Sequence, residues 1–90
     1  MKSLDVCVVG LGYIGLPTAS LLANRGHRVH GVDVSDRVGS SIQKGELHFQ
    51  EPGLDILVRS AVNSGSLRAA KEPAEADVYI LAVPTPFEDG

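Results

Sequence analysis

The feature that most constrains this 90-residue chain is the run Val6-Cys7-Val8-Val9-Gly10-Leu11-Gly12-Tyr13-Ile14-Gly15, where an apolar stretch feeds directly into G-x-G-x-x-G. Consecutive apolar residues suit a parallel strand buried on both faces. The three glycines then have separable tasks. Gly10 makes the tight turn, Gly12 lacks the Cβ that would hold a pyrophosphate away, and Gly15 lets the next helix lie close to the sheet. The N-terminus of that helix offers free N–H groups and a partial positive charge where phosphates sit. A glycine triplet alone is a weak signal, but here it has a strand before it, a helix after it, and an acidic residue, Asp33, 18 residues beyond Gly15.

The rest of the chain reads as strand and helix in alternation. Residues 4–9 form the first strand, and residues 14–24 a helix with Leu16, Ala19, Leu22 and Ala23 at helical spacing. Pro17 falls in its first turn, where the amide has no intrahelical partner, and Gly26 closes it. Residues 28–32 give a second strand ending at Asp33. Ser35 is a good N-cap for a helix through Asp36, Val38, Ile42 and Lys44, stopped by Gly45. Residues 46–53 read as a loop and residues 54–63 as a helix with Leu54, Leu57, Val58 and Ala61 on one face. A short strand at 67–69, a turn at 73–76 and a fully apolar strand at 78–83 complete the order. Right-handed crossovers then predict a Rossmann-type doubly wound α/β sheet, first half only, with strand order 3-2-1-4.

Bulk composition narrows the function classes. With 43% hydrophobic residues and a formal net charge of −3, the chain describes one globular unit and lacks the basic surface of a nucleic-acid binder. No apolar run reaches the roughly 18 residues of a membrane span, so neither nucleic acid nor membrane is expected as a partner, and a cytoplasmic location is the default expectation. The single cysteine, Cys7, sits mid-strand and reads as a small core hydrophobe. His27, His30 and His48 show no metal-ligand spacing, so no metal is expected. His27 reads as a surface turn residue and His30 as a strand residue packed at a helix edge. Glu46 and Glu51 are solvated loop carboxylates, and no catalytic constellation is expected.

The candidate cofactor residues are Gly10, Gly12, Tyr13, Ile14, Gly15, Asp33, Arg37 and Thr85. Asp33, at the end of the second strand, is placed to accept hydrogen bonds from adenosine ribose hydroxyls. It also disfavours a 2′-phosphate, since like charges about 4 Å apart repel by roughly 4 kcal/mol at an effective dielectric near 20. NAD is therefore expected over NADP. Arg37 has three readings: pairing with a 2′-phosphate, covering the adenine or ribose, or a solvated helix residue. Thr85, between Pro84 and Pro86, lies at the carboxyl end of the last strand, where open α/β sheets bind ligands; it is either a cofactor contact or part of a rigid turn.

Four stretches taken together resemble the N-terminal segment of the UDP-sugar 6-dehydrogenase family. They are Gly10 to Ala19, Gly31-Val32-Asp33-Val34, Gly45-Glu46-Leu47-His48-Phe49-Gln50-Glu51-Pro52-Gly53-Leu54, and Ala76 to Phe87 with its Val83-Pro84-Thr85-Pro86 strand end. Within the family the pattern around His48 and Pro84 is most similar to the UDP-N-acetylmannosamine branch. The resemblance implies oxidation of a UDP-hexose C6 alcohol to a carboxylate with two NAD and a cysteine nucleophile, in polysaccharide biosynthesis. It implies pyrophosphate contacts from the Tyr13 and Ile14 amides, a ribose contact from Asp33, and further cofactor contacts from Arg37 and Thr85. The family's catalytic and UDP-sugar residues lie in later segments, so residues 1–90 are expected to be the first part of an NAD-binding domain, inactive alone and homo-oligomeric when whole. A non-catalytic nucleotide-sensing module, and a dehydrogenase of the 3-hydroxyacyl-CoA or 6-phosphogluconate type, are the alternative readings. The strand at 78–83, apolar on both faces yet at a sheet edge, is expected to self-associate in the isolated segment.

Overall fold

The computed structural model describes residues 2–82. Seven elements follow in chain order: β1 (Asp5–Val9), α1 (Gly15–Asn24), β2 (Arg28–Val32), α2 (Asp36–Gln43), α3 (Leu54–Asn63), β3 (Leu67–Ala70) and β4 (Val78–Leu81). The strands form one parallel sheet in the order β3-β2-β1-β4, the expected 3-2-1-4 arrangement. Val83 to Phe87, including Thr85, lie outside the described residues.

Pairing is in register across the sheet. Val9 sits opposite Val32 on one side and Leu81 on the other, and Val32 sits opposite Ala70. All four strands therefore end at one level, and Gly10, Asp33, Lys71 and Ala82 are the first residues past it. Three backbone bonds at this level carry the ladder to the strand ends: Gly10 N–H to Val32 O at 2.7 Å, Asp33 N–H to Ala70 O at 2.9 Å and Ala82 N–H to Val9 O at 2.7 Å. The chain runs from β1 outward to β2 and β3 on one side and returns to β4 on the other, so β1 and β4 flank the topological switch point, where such sheets bind ligands.

The core lies between the sheet and the helices. Val6, Val8, Val29 and Leu67 from the strands meet Leu16, Ala19 and Ala23 of α1, Ile42 of α2 and Leu54, Val58 and Ala61 of α3. Full burial of a side chain such as Leu16 or Ile42 contributes about 1.5–3 kcal/mol, so this single cluster dominates the stability of a domain this small. Each helix closes the same way. Gly26, Gly45 and Gly65 adopt positive φ, and their amides and those of the following residues bond back to carbonyls of the last turn. Leu57 departs from the expected core stripe of α3, being 38% exposed, because the buried positions Leu54, Val58 and Ala61 already span the side that meets α1 and the sheet.

The opposite side of the sheet carries Arg68, His30, Cys7 and Tyr79 in one cross-strand row. Cys7 is fully buried there, consistent with its reading as a packing residue. His30 is not at a helix edge: its Nε2 lies 3.0 Å from the carbonyl of Glu72, in the connection between β3 and β4. Strand alternation explains the difference, since the helix side is taken by Val29 and Gly31. His27 is more than a surface turn residue, because its Nδ1 accepts the Leu4 amide at 3.1 Å and ties the chain before β1 to the end of α1. The turn expected at 73–76 is irregular chain, held by the Tyr79 hydroxyl, which accepts the Ala76 amide at 3.0 Å.

Candidate cofactor-binding site

The glycine loop leaves β1 through Gly10, whose φ of 98° is closed to most side chains. Leu11 then turns inward and is fully buried. Its side chain fits because β2 has Gly31 beneath it: a Cβ there would come within 3.0 Å and 3.1 Å of the two Leu11 methyls. The loop is thus pinned from below by an apolar plug. Gly15 fixes the helix against the strand end. A Cβ at Gly15 would fall 1.6 Å from the Gly10 carbonyl oxygen and 3.2 Å from Ala82 Cβ, so the start of α1 packs directly on the switch point. At Gly12 the space is open, with nothing within 4 Å of the same virtual atom. The structure therefore separates the glycines as the motif requires, two for packing and turning and one for approach from outside.

What this loop presents outward is a set of donors. Among the described residues no acceptor takes the amides of Gly12, Tyr13 and Ile14. α1 has no side-chain cap and no acidic residue in its first turn, whereas α2 is capped by the Ser35 hydroxyl on the Val38 amide and carries Asp36 in its first turn. α3 also has an acidic residue, Asp55, in its first turn. Of the three helices, α1 alone keeps its N-terminal field uncompensated, and a pyrophosphate supplies both the acceptors and the negative charge.

Asp33 stands at the end of β2 beside this loop. Its Oδ2 accepts the Leu11 amide at 3.1 Å and its Oδ1 accepts the Ser35 amide at 3.0 Å. The carboxylate is thereby held between the glycine loop and the start of α2, half-buried, with lone pairs to spare on both oxygens. It also lines an open pocket of about 390 Å³ with Ser35, Asp36, Gly39, Lys44, Ala70 and Lys71, where Lys71 pairs with Asp36 at 2.6 Å. Arg37 is exposed on α2 and does not line that pocket. Tyr13 and Ile14 are 72% and 73% exposed at the mouth of the loop. The Tyr13 ring contacts Phe49 of the loop at 46–53 with centroids 4.5 Å apart, a contact that no spacing in the sequence announces.

These donors, the open approach at Gly12 and the fixed carboxylate of Asp33 fit the pyrophosphate and ribose of a dinucleotide. The chain matches the model described as UDP-glucose/GDP-mannose dehydrogenase family, NAD binding domain, over residues 4–90. It belongs to the UDP-glucose/GDP-mannose dehydrogenase family. The match to its NAD-binding domain makes NAD the cofactor. Relatives in this family include the UDP-N-acetyl-D-mannosamine dehydrogenase of Campylobacter jejuni, 57% identical over 83 residues, or 92% of this chain and 20% of the relative. Another is the NDP-N-acetyl-D-galactosaminuronic acid dehydrogenase of Ralstonia nicotianae, 55% identical over 84 residues, which are 93% of this chain and 20% of that protein. Among solved structures, the UDP-N-acetyl-mannosamine dehydrogenase Cap5O of Staphylococcus aureus superposes with a TM-score of 0.92 at 42% identity, covering 96% of this chain and 21% of that one. This chain of the dehydrogenase family thus spans about a fifth of the length of the relatives it matches. Among its described residues, no cluster of His, Cys, Asp or Glu has the arrangement of a metal site, and no helix is long and apolar enough to cross a membrane.

At the amino-terminal end of the two inner strands, Arg28 hydrogen-bonds both oxygens of Asp5, which holds the Asp5 carboxyl below its usual range and raises Arg28 further. That pair is exposed and joins the first residues of β1 and β2, away from the glycine loop.

Proposed function

We propose that this chain is the cofactor-holding part of a UDP-N-acetylhexosamine 6-dehydrogenase that oxidises the sugar C6 alcohol to a carboxylate, with UDP-N-acetylmannosamine as the favoured substrate. The observation that carries the reading is the glycine loop with its three unpaired amides next to a carboxylate fixed at the end of β2, in a chain whose relatives include dehydrogenases of N-acetylated nucleotide sugars. NAD, when bound, supplies the hydride acceptor. The chain's own residues bind and orient it: the Gly12, Tyr13 and Ile14 amides hold the pyrophosphate, Asp33 accepts from the adenosine ribose and repels a 2′-phosphate, and Arg37 and Thr85 make further cofactor contacts. Residues 1–90 are the first part of the NAD-binding domain, and the groups that bind the UDP-sugar and carry its chemistry belong to further domains of a cytoplasmic homo-oligomer.

The test is an assay of the full-length protein with UDP-glucose, UDP-N-acetylglucosamine and UDP-N-acetylmannosamine in turn, following NADH. Production of two NADH per UDP-N-acetylmannosamine, with the other sugars slower, is expected. Preference for UDP-glucose would overturn the substrate assignment. Tight nucleotide binding with no NADH from any sugar would replace the enzyme reading with a sensing module.

A further inference from the structure

The loop at 46–53 touches the glycine loop through the Phe49 ring. Phe49 is partly buried and packs against the core cluster, and the His48 ring meets it edge-on with centroids 4.8 Å apart. From that footing its ring lies against Tyr13, centroids 4.5 Å apart and planes tilted by 47°. Tyr13 is otherwise mostly in solvent. Its amide belongs to the three that lack acceptors among the described residues, and Gly12 before it has open space around its α-carbon. The loop at 46–53 is itself tightly bounded. Gly45 and Gly53 have positive φ at its two ends, the Glu46 amide bonds Ser41 O at 2.8 Å, and the Leu54 amide bonds Glu51 O at 3.1 Å.

We infer that Phe49 is a positioning residue for the cofactor: it clamps the Tyr13 side chain so that the amides of residues 12–14 stay aimed at the pyrophosphate. This rests on the reading of the glycine loop as the NAD pyrophosphate site. The physical basis is preorganisation. A backbone segment that wraps an anion loses conformational freedom on binding, and a side-chain clamp removes part of that freedom before the ligand arrives. A tilted aromatic pair of this kind stabilises by an amount equivalent to about two- to tenfold in binding.

The full-length protein is titrated calorimetrically with NAD, with ADP, which carries the pyrophosphate, and with adenosine, which carries no phosphate. Phe49→Leu, which keeps apolar packing but removes the ring, is expected to weaken NAD and ADP together by roughly two- to tenfold while leaving adenosine unchanged. Phe49→Tyr, which keeps an aromatic ring against Tyr13, is expected to restore both. Wild-type affinity for ADP in Phe49→Leu overturns the inference, as does an equal loss for adenosine, which would mark a general loosening of the fold. Failure of the wild-type protein to bind NAD or ADP at all would instead overturn the cofactor reading beneath it.

Discussion

The carboxylate of Asp33 accepts the backbone amide of Leu11 at 3.1 Å, joining the end of β2 to the glycine loop that follows β1. Leu11 is anchored at both ends of the residue, its amide by Asp33 and its side chain by burial over Gly31. The acidic residue of the motif therefore has work to do before any ribose arrives. It fixes the loop and is itself fixed, since its other oxygen accepts from Ser35.

Replacing Asp33 separates these tasks. Asp33→Ala removes two hydrogen bonds to a charged acceptor and leaves the Leu11 amide without its partner, so a loss of about 1–3 kcal/mol in unfolding free energy is expected by urea titration. Asp33→Asn keeps an acceptor and is expected to lose less. Both variants should bind NAD more weakly and discriminate less against NADP, read as the ratio of the two dissociation constants. Unchanged stability in Asp33→Ala would show that the tether contributes nothing.

The glycines of the loop give a sharper contrast. Gly12→Ala meets open space, so the melting temperature should hold while NAD affinity falls, because the added methyl stands where the pyrophosphate approaches. Gly15→Ala drives a Cβ into the Gly10 carbonyl and should destabilise by about 3 kcal/mol or more, with binding lost as a consequence. Calorimetric melting and NAD titration of the two variants side by side check the distinction, and equal destabilisation of both would refute it.

Ser20 is fully buried in α1, and its hydroxyl has no partner among the described residues. Close by, Asn24 and Ser60 satisfy one another across the α1 and α3 interface, with Ser60 donating to Asn24 Oδ1 at 2.9 Å and Asn24 donating to Leu57 O at 3.0 Å. Ser20→Ala removes an uncompensated polar group and adds helix propensity, and is expected to stabilise by roughly 0.5–1.5 kcal/mol in urea unfolding. Destabilisation would mean that the hydroxyl is satisfied in solution.

The pair of Asp5 and Arg28 sets a small acid dependence with a definite sign. Because hydrogen bonding to Arg28 lowers the Asp5 carboxyl below its unfolded value of 3.8, the contribution is complete above that value and is lost as pH falls through the lowered one. Asp5→Asn should therefore reduce stability near neutral pH slightly and flatten the acid limb of a stability profile measured between pH 5 and 2. Both side chains are largely in solvent, so added salt should shrink the difference. A profile of unchanged slope would show that the pair does not persist in solution.

Much of this molecule was legible in its residues because local rules and global topology agree. The glycine spacing, Ser35 as a helix cap, the glycines that end all three helices and the strand order 3-2-1-4 follow from steric and hydrogen-bonding rules that operate over a few residues or from the handedness of crossovers. The misplacements had a different origin. The environments of His27 and His30 depend on which segment crosses the far side of the sheet, and Leu57 on how far α3 turns toward α1, neither of which is a property of the neighbouring sequence. Gly31 carried a usable signal, since a glycine inside a strand marks a close approach, here by Leu11.

The sequence by itself determined that a strand, a glycine turn and a helix would meet in that order with an acidic residue at the next strand end, because each step is dictated by local backbone sterics. Only the tertiary structure decided that Asp33 grips Leu11 and that Phe49 lies on Tyr13. Those contacts join residues 22 and 36 positions apart, and they form only once parallel pairing has brought the strand ends to one level and the core has seated the loop at 46–53 beside them.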